Sequence, residues 1–449
     1  MSGFTLESDY MKVNGIEIIK NNPQKRVMYA VGIAMALLVV CFLMSIASSF
    51  CPIQPIRENV EKSIPGLKEE GLYPCFFNFK LLQMDNYTDV IMLQESVTID
   101  EEKPIQSAMS CTIYKSSSFM DKIEDLERYI NGDLGGMEQI NYSRYWHGYL
   151  FILKPLLVVL TYQQIRILNY VAFFAILILV LYKLWKNIGR TESILFLIAL
   201  VCIALPFIPY NLQFSWTFYI AFGGILWMIY ITKNNKQHDD IYKLMLSVFV
   251  LGGLTSFFDL LVTPIVTIGL PITVWMLKRN DDSLMGKIKL IILASISWIV
   301  GYAWIWGSKW VIGGFITGEN VLADAINQAG ARTTGMLWRG MKLTIPNIIK
   351  FIWSTLAQRG LIIPLIITFT VAIIVYILFC KSKKAFIDNL WLILIAMMAP
   401  VWFIVLREHS IQHGWFTWRA LSVSVYAGML FVFRTCNYKV VKERIRLHI

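Results

Sequence analysis

Charge is what this sequence has least of. Only 16% of its 449 residues are Asp, Glu, Lys or Arg, against about 25% in an ordinary soluble domain. Hydrophobic residues make up 56% and the mean hydropathy is +0.57. A disordered chain cannot carry that surplus, and a set of soluble domains cannot hide it, so the excess must face lipid. Cysteine is scarce too. The seven residues show no CxxC and no zinc spacing, which excludes a small disulfide scaffold; Cys75–Cys111 is a guess at one bridge. P-loop, GxSxG, HExxH and dinucleotide fingerprints are all missing, which argues against an ATP-driven pump and a soluble-type hydrolase. There is no internal repeat, although inverted-repeat transporters usually show one. The net charge of +11 belongs to loops on one side of a bilayer rather than to a nucleic-acid surface.

What is present is a series of apolar runs. A helical span needs about 20 mostly apolar residues. Such runs occur at Val27–Phe50, Ile167–Tyr182, Ile194–Pro209, Phe214–Ile231, Leu244–Phe258, Leu260–Leu277, Ile288–Trp306, Leu361–Cys380, Leu390–Leu406 and Ala420–Phe433. The first is an anchor rather than a cleaved leader, because its apolar core is too long and 26 residues precede it. Leu244–Leu277 is read as a hairpin with Asp259 at its apex, since 34 residues would extend ~50 Å as one helix. The expectation is an all-α integral membrane protein of about ten spans. Residues 1–26 form an N-terminal tail, 27–434 the membrane domain and 435–449 a basic tail.

Lys and Arg decide the orientation. With the N-terminus inside, the six cytoplasmic segments hold 22 of 41 basic residues but only 10 of 30 acidic ones. Both termini are therefore expected in the cytoplasm of a multi-pass plasma-membrane protein. The outer face then carries two long loops, 51–166 and 307–360. The first bears 16 carboxylates, and its spacing predicts an amphipathic helix around Asp121–Ile130, with Ile123, Leu126 and Ile130 on one face.

Four constellations fall on that outer side. Asp85 and Asp89 stand four apart in Met84-Asp-Asn-Tyr-Thr-Asp89, so they share a helix face. One suits a general base, the other an orienting group or cation ligand. Asp89 leads because Val90-Ile-Met-Leu93 follows it; a solvated acidic turn is the plainer reading. Arg144, His147 and Lys154 lie among Tyr142, Tyr145, Trp146 and Tyr149, rings that an interfacial belt alone would explain. Asp259 is the only charge in its apolar run, which marks either a functional site or a short turn. The segment Arg407–Arg419 holds two Arg, two His and two Trp; guanidinium forks suit phosphate oxygens. His409 and His413 have the i, i+4 spacing of helical zinc ligands but no clear third ligand. Arg332 and Arg339 add positive charge.

The order of these features resembles the GT-C superfamily of integral-membrane glycosyltransferases. The similarity rests on an anchor helix followed by an acidic outside loop, on Trp146-His-Gly-Tyr-Leu-Phe-Ile-Leu-Lys-Pro155, on Arg166-Ile-Leu-Asn169 and on the basic loop Lys183 to Arg190. It extends to Phe258-Asp259-Leu-Leu-Val-Thr-Pro264 and His409…His413…Phe416-Thr-Trp-Arg419. The resemblance implies a sugar donor on a polyprenyl phosphate in the outer leaflet, a glycan or lipid-linked acceptor, and a role in cell-wall polysaccharide biosynthesis. It places Asp85 or Asp89 as the loop carboxylate and Arg407, His409, His413 and Arg419 around the leaving phosphate. Arg144, His147, Lys154, Asp259, Arg332 and Arg339 complete the expected substrate site. No cofactor is required; a divalent cation is the one candidate. Partners are membrane lipids, the donor and the acceptor, and no nucleic acid. The competing functions are a flippase or transporter of a lipid-linked saccharide, a polysaccharide polymerase or ligase, and a non-enzymatic scaffold.

Overall fold

The computed structural model describes residues 12–13, 16–17, 23–116, 122–232, 239–279, 283–334, 337–338, 341–342, 344–358, 360, 366–367, 370–371, 373–374 and 382–436. Its helices are α1 (Pro23–Ser48), α2 (Ile53–Glu61), α3 (Ile64–Glu70), α4 (Asn86–Val97), α5 (Pro104–Ser110), α6 (Lys122–Ile130) and α7 (Leu150–Val159). There follow α8 (Tyr162–Asn187), α9 (Arg190–Val201), α10 (Leu212–Ile231), α11 (Asp239–Phe258), α12 (Val266–Lys278), α13 (Leu284–Thr317), α14 (Val321–Thr334) and α15 (Ile345–Gln358). The chain ends in Lys383–Asp388, Leu390–Ala396, Met398–Val405, Arg407–Gln412, Gly414–Thr417 and Leu421–Thr435.

Seven segments are long and apolar enough to cross a bilayer: α1, α8, α10, Ile241–Phe258 of α11, α13, Lys383–Val405 and Arg407–Thr435. The chain is therefore an all-α, multi-pass membrane protein. Ten spans are not reached among the described residues. Ile194–Pro209 yields the 12-residue α9 and a turn, and Leu260–Leu277 yields the 13-residue α12. At 1.5 Å per residue each covers ~20 Å, too little for a ~30 Å hydrocarbon layer. α12 is also buried along its whole length from Val266 to Leu277; its apolar run reflects a protein core rather than lipid. Most of the run Leu361–Cys380 lies outside the described residues, as do Arg339 and the basic tail from 437 onward.

Hydrophobic packing fixes the bundle. One buried cluster joins α8, α9, α10, α11, α12, α13 and the last helix. α11 and α13 approach most closely where a β-carbon at Gly252 would lie 2.1 Å from the Trp298 carbonyl, and one at Gly301 2.0 Å from the Phe249 carbonyl. Small residues on both helices allow backbones to touch, which in lipid replaces the missing hydrophobic drive.

Between α1 and α8 the chain builds a second, smaller core from α2, α3, α4, α6 and α7. The amphipathic pattern near residue 121 becomes α6, with Ile123, Leu126 and Ile130 buried. The strands Thr112–Lys115 and Glu138–Asn141 pair antiparallel beside it. α13 ties this unit to the bundle: Trp306 and Trp310 both donate to the Arg144 carbonyl, at 3.0 and 3.1 Å, and Lys309 donates to the Met109 carbonyl at 2.8 Å. Two Asn-X-Ser/Thr sequences, Asn86-Tyr-Thr88 and Asn141-Tyr-Ser143, lie within it. Asn86 is fully buried and bonds Glu70 and the Gly71 carbonyl; Asn141 bonds Glu319. Cys75 and Cys111 are separate thiols, not a bridge.

Candidate functional site

The site is built around the start of α4. Asp85 is its N-cap and takes two hydrogen bonds from one residue, from the Thr88 amide at 3.2 Å and the Thr88 hydroxyl at 2.8 Å. Capping explains why an Asp begins the helix. The carboxyl group is 1% exposed. Burial pushes it up to about 7, the nearby Asp89 adds to the rise, and the Thr88 bonds and the Arg419 charge oppose it.

Asp89, one turn later, is a different kind of group. It accepts from the Tyr162 hydroxyl at 2.6 Å, the Asn211 amide at 3.2 Å, and the backbone amides of Leu212 and Gln213 at 3.0 and 3.1 Å. The last two are orphan donors at the N-terminus of α10, where a carboxylate also meets the positive end of the helix dipole. Burial raises its proton affinity even against these donors. Three of these bonds converge on Oδ2 and one on Oδ1, so Asp89 is gripped by four donors, three of them from the start of α10.

The segment 407–419 folds against this corner. Arg419 is buried, with its guanidinium 4.3 Å from the centre of the Phe214 ring in the first turn of α10 and 5.4 Å from that of Trp418. It lies within electrostatic reach of Asp85. Tyr87 stacks on Tyr73 at 6.0 Å, and Trp415 meets Tyr73 edge-on at 5.5 Å. His409 donates from Nε2 to the Leu261 carbonyl at 2.8 Å and receives Arg332 on Nδ1 at 2.8 Å. A carbonyl can only accept and a guanidinium only donate, so His409 is a neutral imidazole with both nitrogens engaged. His413 is stacked obliquely 4.7 Å from it. Two imidazoles beside Arg332, one already saturated, do not fit a zinc ion. Among the described residues no three His, Cys, Asp or Glu side chains gather as a metal site. The candidate cation thus has no fitting ligand set at Asp85–Asp89 or at His409–His413.

The remaining expected residues separate into three places. Arg144 lies over Tyr142 at 4.5 Å and pairs with Asp324 at 3.1 Å. Tyr142 in turn lies within electrostatic reach of Arg332, so this pair borders the site. His147 and Lys154 point elsewhere, into a buried network. There the Tyr149 hydroxyl donates to Glu95 at 2.5 Å, and His147 Nδ1 stands 3.2 Å from the other Glu95 oxygen. Lys154 is buried near Cys51, Cys111 and Glu95. Neither faces an outer leaflet, contrary to the belt expectation. Arg407 is half-buried in the first turn of its short helix.

Asp259 is not at a one-residue apex. α11 stops at Phe258 and α12 starts at Val266, and the seven residues between them wrap around the Asp259 carboxylate. Both its oxygens accept from the Val262 amide, at 3.0 and 3.1 Å. Burial pushes it up to about 7 against these backbone bonds. The turn holds Leu261 in the left-handed region, φ 66°, and turns its carbonyl toward His409. Asp259 therefore touches the site through a backbone carbonyl rather than through its own charge.

Sequence reading missed Tyr162 and Asn211, the side chains that hold Asp89, and Tyr73, which meets Trp415 edge-on. It also missed the clamp in which Arg166, held by Glu70, lies between the Tyr162 and Tyr210 rings at 4.7 and 4.4 Å.

Beside Leu212 the bundle opens a cavity of about 1450 Å³ between α1, α7, α8, α10 and α11. Its walls run from Leu212, Trp216 and Phe258 at the site end to Tyr230 and Lys243 at the opposite end. The lining is apolar apart from a few groups such as Asn169 and Ser247. Comparison of the chain with protein-family models, curated proteins and solved structures finds no match.

Proposed function

We propose that the chain is a membrane glycosyltransferase of GT-C type that moves a sugar from a polyprenyl-phosphate donor to a hydroxyl acceptor on the extracytoplasmic side. The observation that carries this reading is a buried carboxyl within electrostatic reach of a buried guanidinium, Asp85 and Arg419, near the Leu212 end of an apolar cavity. Asp85 takes the base role ahead of Asp89, because Asp89 accepts four hydrogen bonds from α8 and the start of α10 while Asp85 accepts two, both from Thr88. A carboxylate titrating near neutrality is matched to removing a proton from an acceptor hydroxyl. The acceptor oxygen bonds to the anomeric carbon as the bond to the phosphate oxygen breaks, and the electron pair leaves with the polyprenyl phosphate. Arg419, with Arg332 oriented by His409, offsets the charge that develops there. Tyr73, Tyr87 and Trp415 supply ring faces suited to a sugar, and the cavity has the length and lining for an isoprenoid chain.

A flippase would use the same cavity, and the cavity's reach along α10 is what favours that second reading. Its apolar wall suits a lipid tail much better than a phosphate-sugar headgroup crossing the bilayer, which ranks transfer above transport. Purified protein in vesicles, given a polyprenyl-phosphate hexose and candidate acceptors, tests the proposal. Release of polyprenyl phosphate that disappears in Asp85→Asn supports it. Movement of the intact donor between leaflets without release establishes the flippase instead.

A further inference from the structure

The strand of chain just ahead of Asp85 carries phenylalanines that the site does not use. Residues 75–83 form a closed lobe: Cys75 and Gln83 pair as an antiparallel bridge, and the Met84 amide donates to the Pro74 carbonyl at 2.8 Å. Phe76 is its inward ring, 5.2 Å from Phe207 and 4.9 Å from Tyr210. Phe77 turns the other way and is 86% exposed; Phe79 is 44% exposed. Phe77 and Asn78 both have φ of 54°. An L residue in the left-handed region costs about 1 kcal/mol or more, so the backbone is held in an unfavourable form that presents a bare phenyl ring outward.

Two observations say what meets that ring. Tyr210 sits two residues before the span α10, so Phe76 is packed at the end of the membrane-crossing bundle rather than far out in water. The exposed apolar belt of the neighbouring helices reaches the same end, with Ile167 of α8 66% exposed and Val201 of α9 57% exposed. Phe77 and Phe79 continue this belt past the helix ends. Alternation of phenyl rings with the exposed Asn78 and Lys80 is the composition that suits the headgroup–acyl boundary.

We infer that the lobe 75–83 is a membrane-interface anchor, with Phe77 and Phe79 inserted into the lipid leaflet that covers this end of the bundle. The partner is the bilayer itself. Burying a phenyl ring is favourable by about 1.5–3 kcal/mol, enough to offset the left-handed backbone. The inference stands on the lobe and the belt and does not depend on the transferase reading.

The test uses the full chain in phosphatidylethanolamine–phosphatidylglycerol vesicles, with the photoreactive residue benzoyl-phenylalanine placed at position 77 or, in a second protein, at 79. Position 171, a 62% exposed Val in α8, is the lipid-facing reference. The expected result is lipid adducts at 77 and 79 within about threefold of those at 171, as for side chains seated at the acyl boundary. Absence of lipid adducts at both positions, with 171 labelled, makes the lobe an aqueous surface loop. Crosslinks between two copies make it a protein interface. Either outcome overturns the inference.

Discussion

Asp85 and Asp89 are one helical turn apart, equally buried, and share an aspartate's chemistry, yet they are built for different tasks. Asp89 is enclosed by Tyr162, Asn211 and two backbone amides of α10 and holds the polar unit onto the bundle. The Asp85 carboxylate takes its hydrogen bonds from Thr88 and lies within electrostatic reach of Arg419. The difference teaches that burial by itself does not mark a reactive carboxylate. A carboxylate gripped by donors from two distant helices makes a joint, and one held only by its own helix within electrostatic reach of a cation makes a candidate base. Asp259 belongs with Asp89: its carboxylate is spent on its own turn.

The sharpest way to break this comparison is to remove one proton acceptor at a time. Asp85→Asn is expected to lower sugar transfer by roughly 10²–10⁴-fold, the usual contribution of a general base, with a melting temperature in detergent at neutral pH no lower than that of the native chain. Asp89→Asn is expected to do the reverse. It leaves donors of α10 without acceptors, at about 1–3 kcal/mol for each stranded group, and a several-degree fall in melting temperature would report it. Equal losses of activity and equal stability in the two variants would abolish the distinction.

A smaller effect is expected from the pair that the Asp259 turn supports. His409→Phe removes both the acceptor for Arg332 and the donor to Leu261. Donor affinity should weaken about tenfold, in line with one charge-assisted hydrogen bond of about 1.5 kcal/mol. Binding of a fluorescent polyprenyl phosphate measures it, and unchanged affinity removes the Arg332–His409 pair from the site.

pH offers the mildest probe. Asp85 titrates near 7 in the folded chain, so transfer should rise as pH increases through about 7 and this rise should vanish in Asp85→Asn. The sign for stability is opposite. The folded state keeps the Asp85 proton after the unfolded chain has lost its own, so between the ordinary carboxylate range and about pH 7 this group makes stability fall as pH rises. A melting temperature that drops across that window in the native chain, and less so in Asp85→Asn, is the expected pattern. Orientation is tested separately: cysteines introduced at Glu101 and Lys384 should react with an impermeant reagent from outside the cell and only after lysis, respectively.

The sequence by itself determined the class of this protein. Long apolar runs with few charges have one solvent in which they are stable, and α1, α8, α10 and α13 sit where those runs stand. The 3.6-residue period also gave α6 its buried face, because such a pattern is local and needs no knowledge of partners. Tertiary structure decided the rest. The run at 260–277 is apolar for the sake of protein neighbours rather than lipid, and the run at 194–209 breaks into a helix too short to span, differences that composition does not encode. It decided that Lys154 and His147 turn inward and that Asp259 shapes a turn. It also separated Asp85 from Asp89, since the donors that saturate Asp89 come from residues 162 and 211–213. These lie some 70 to 120 positions away along the chain, and only folding brings them to the carboxylate.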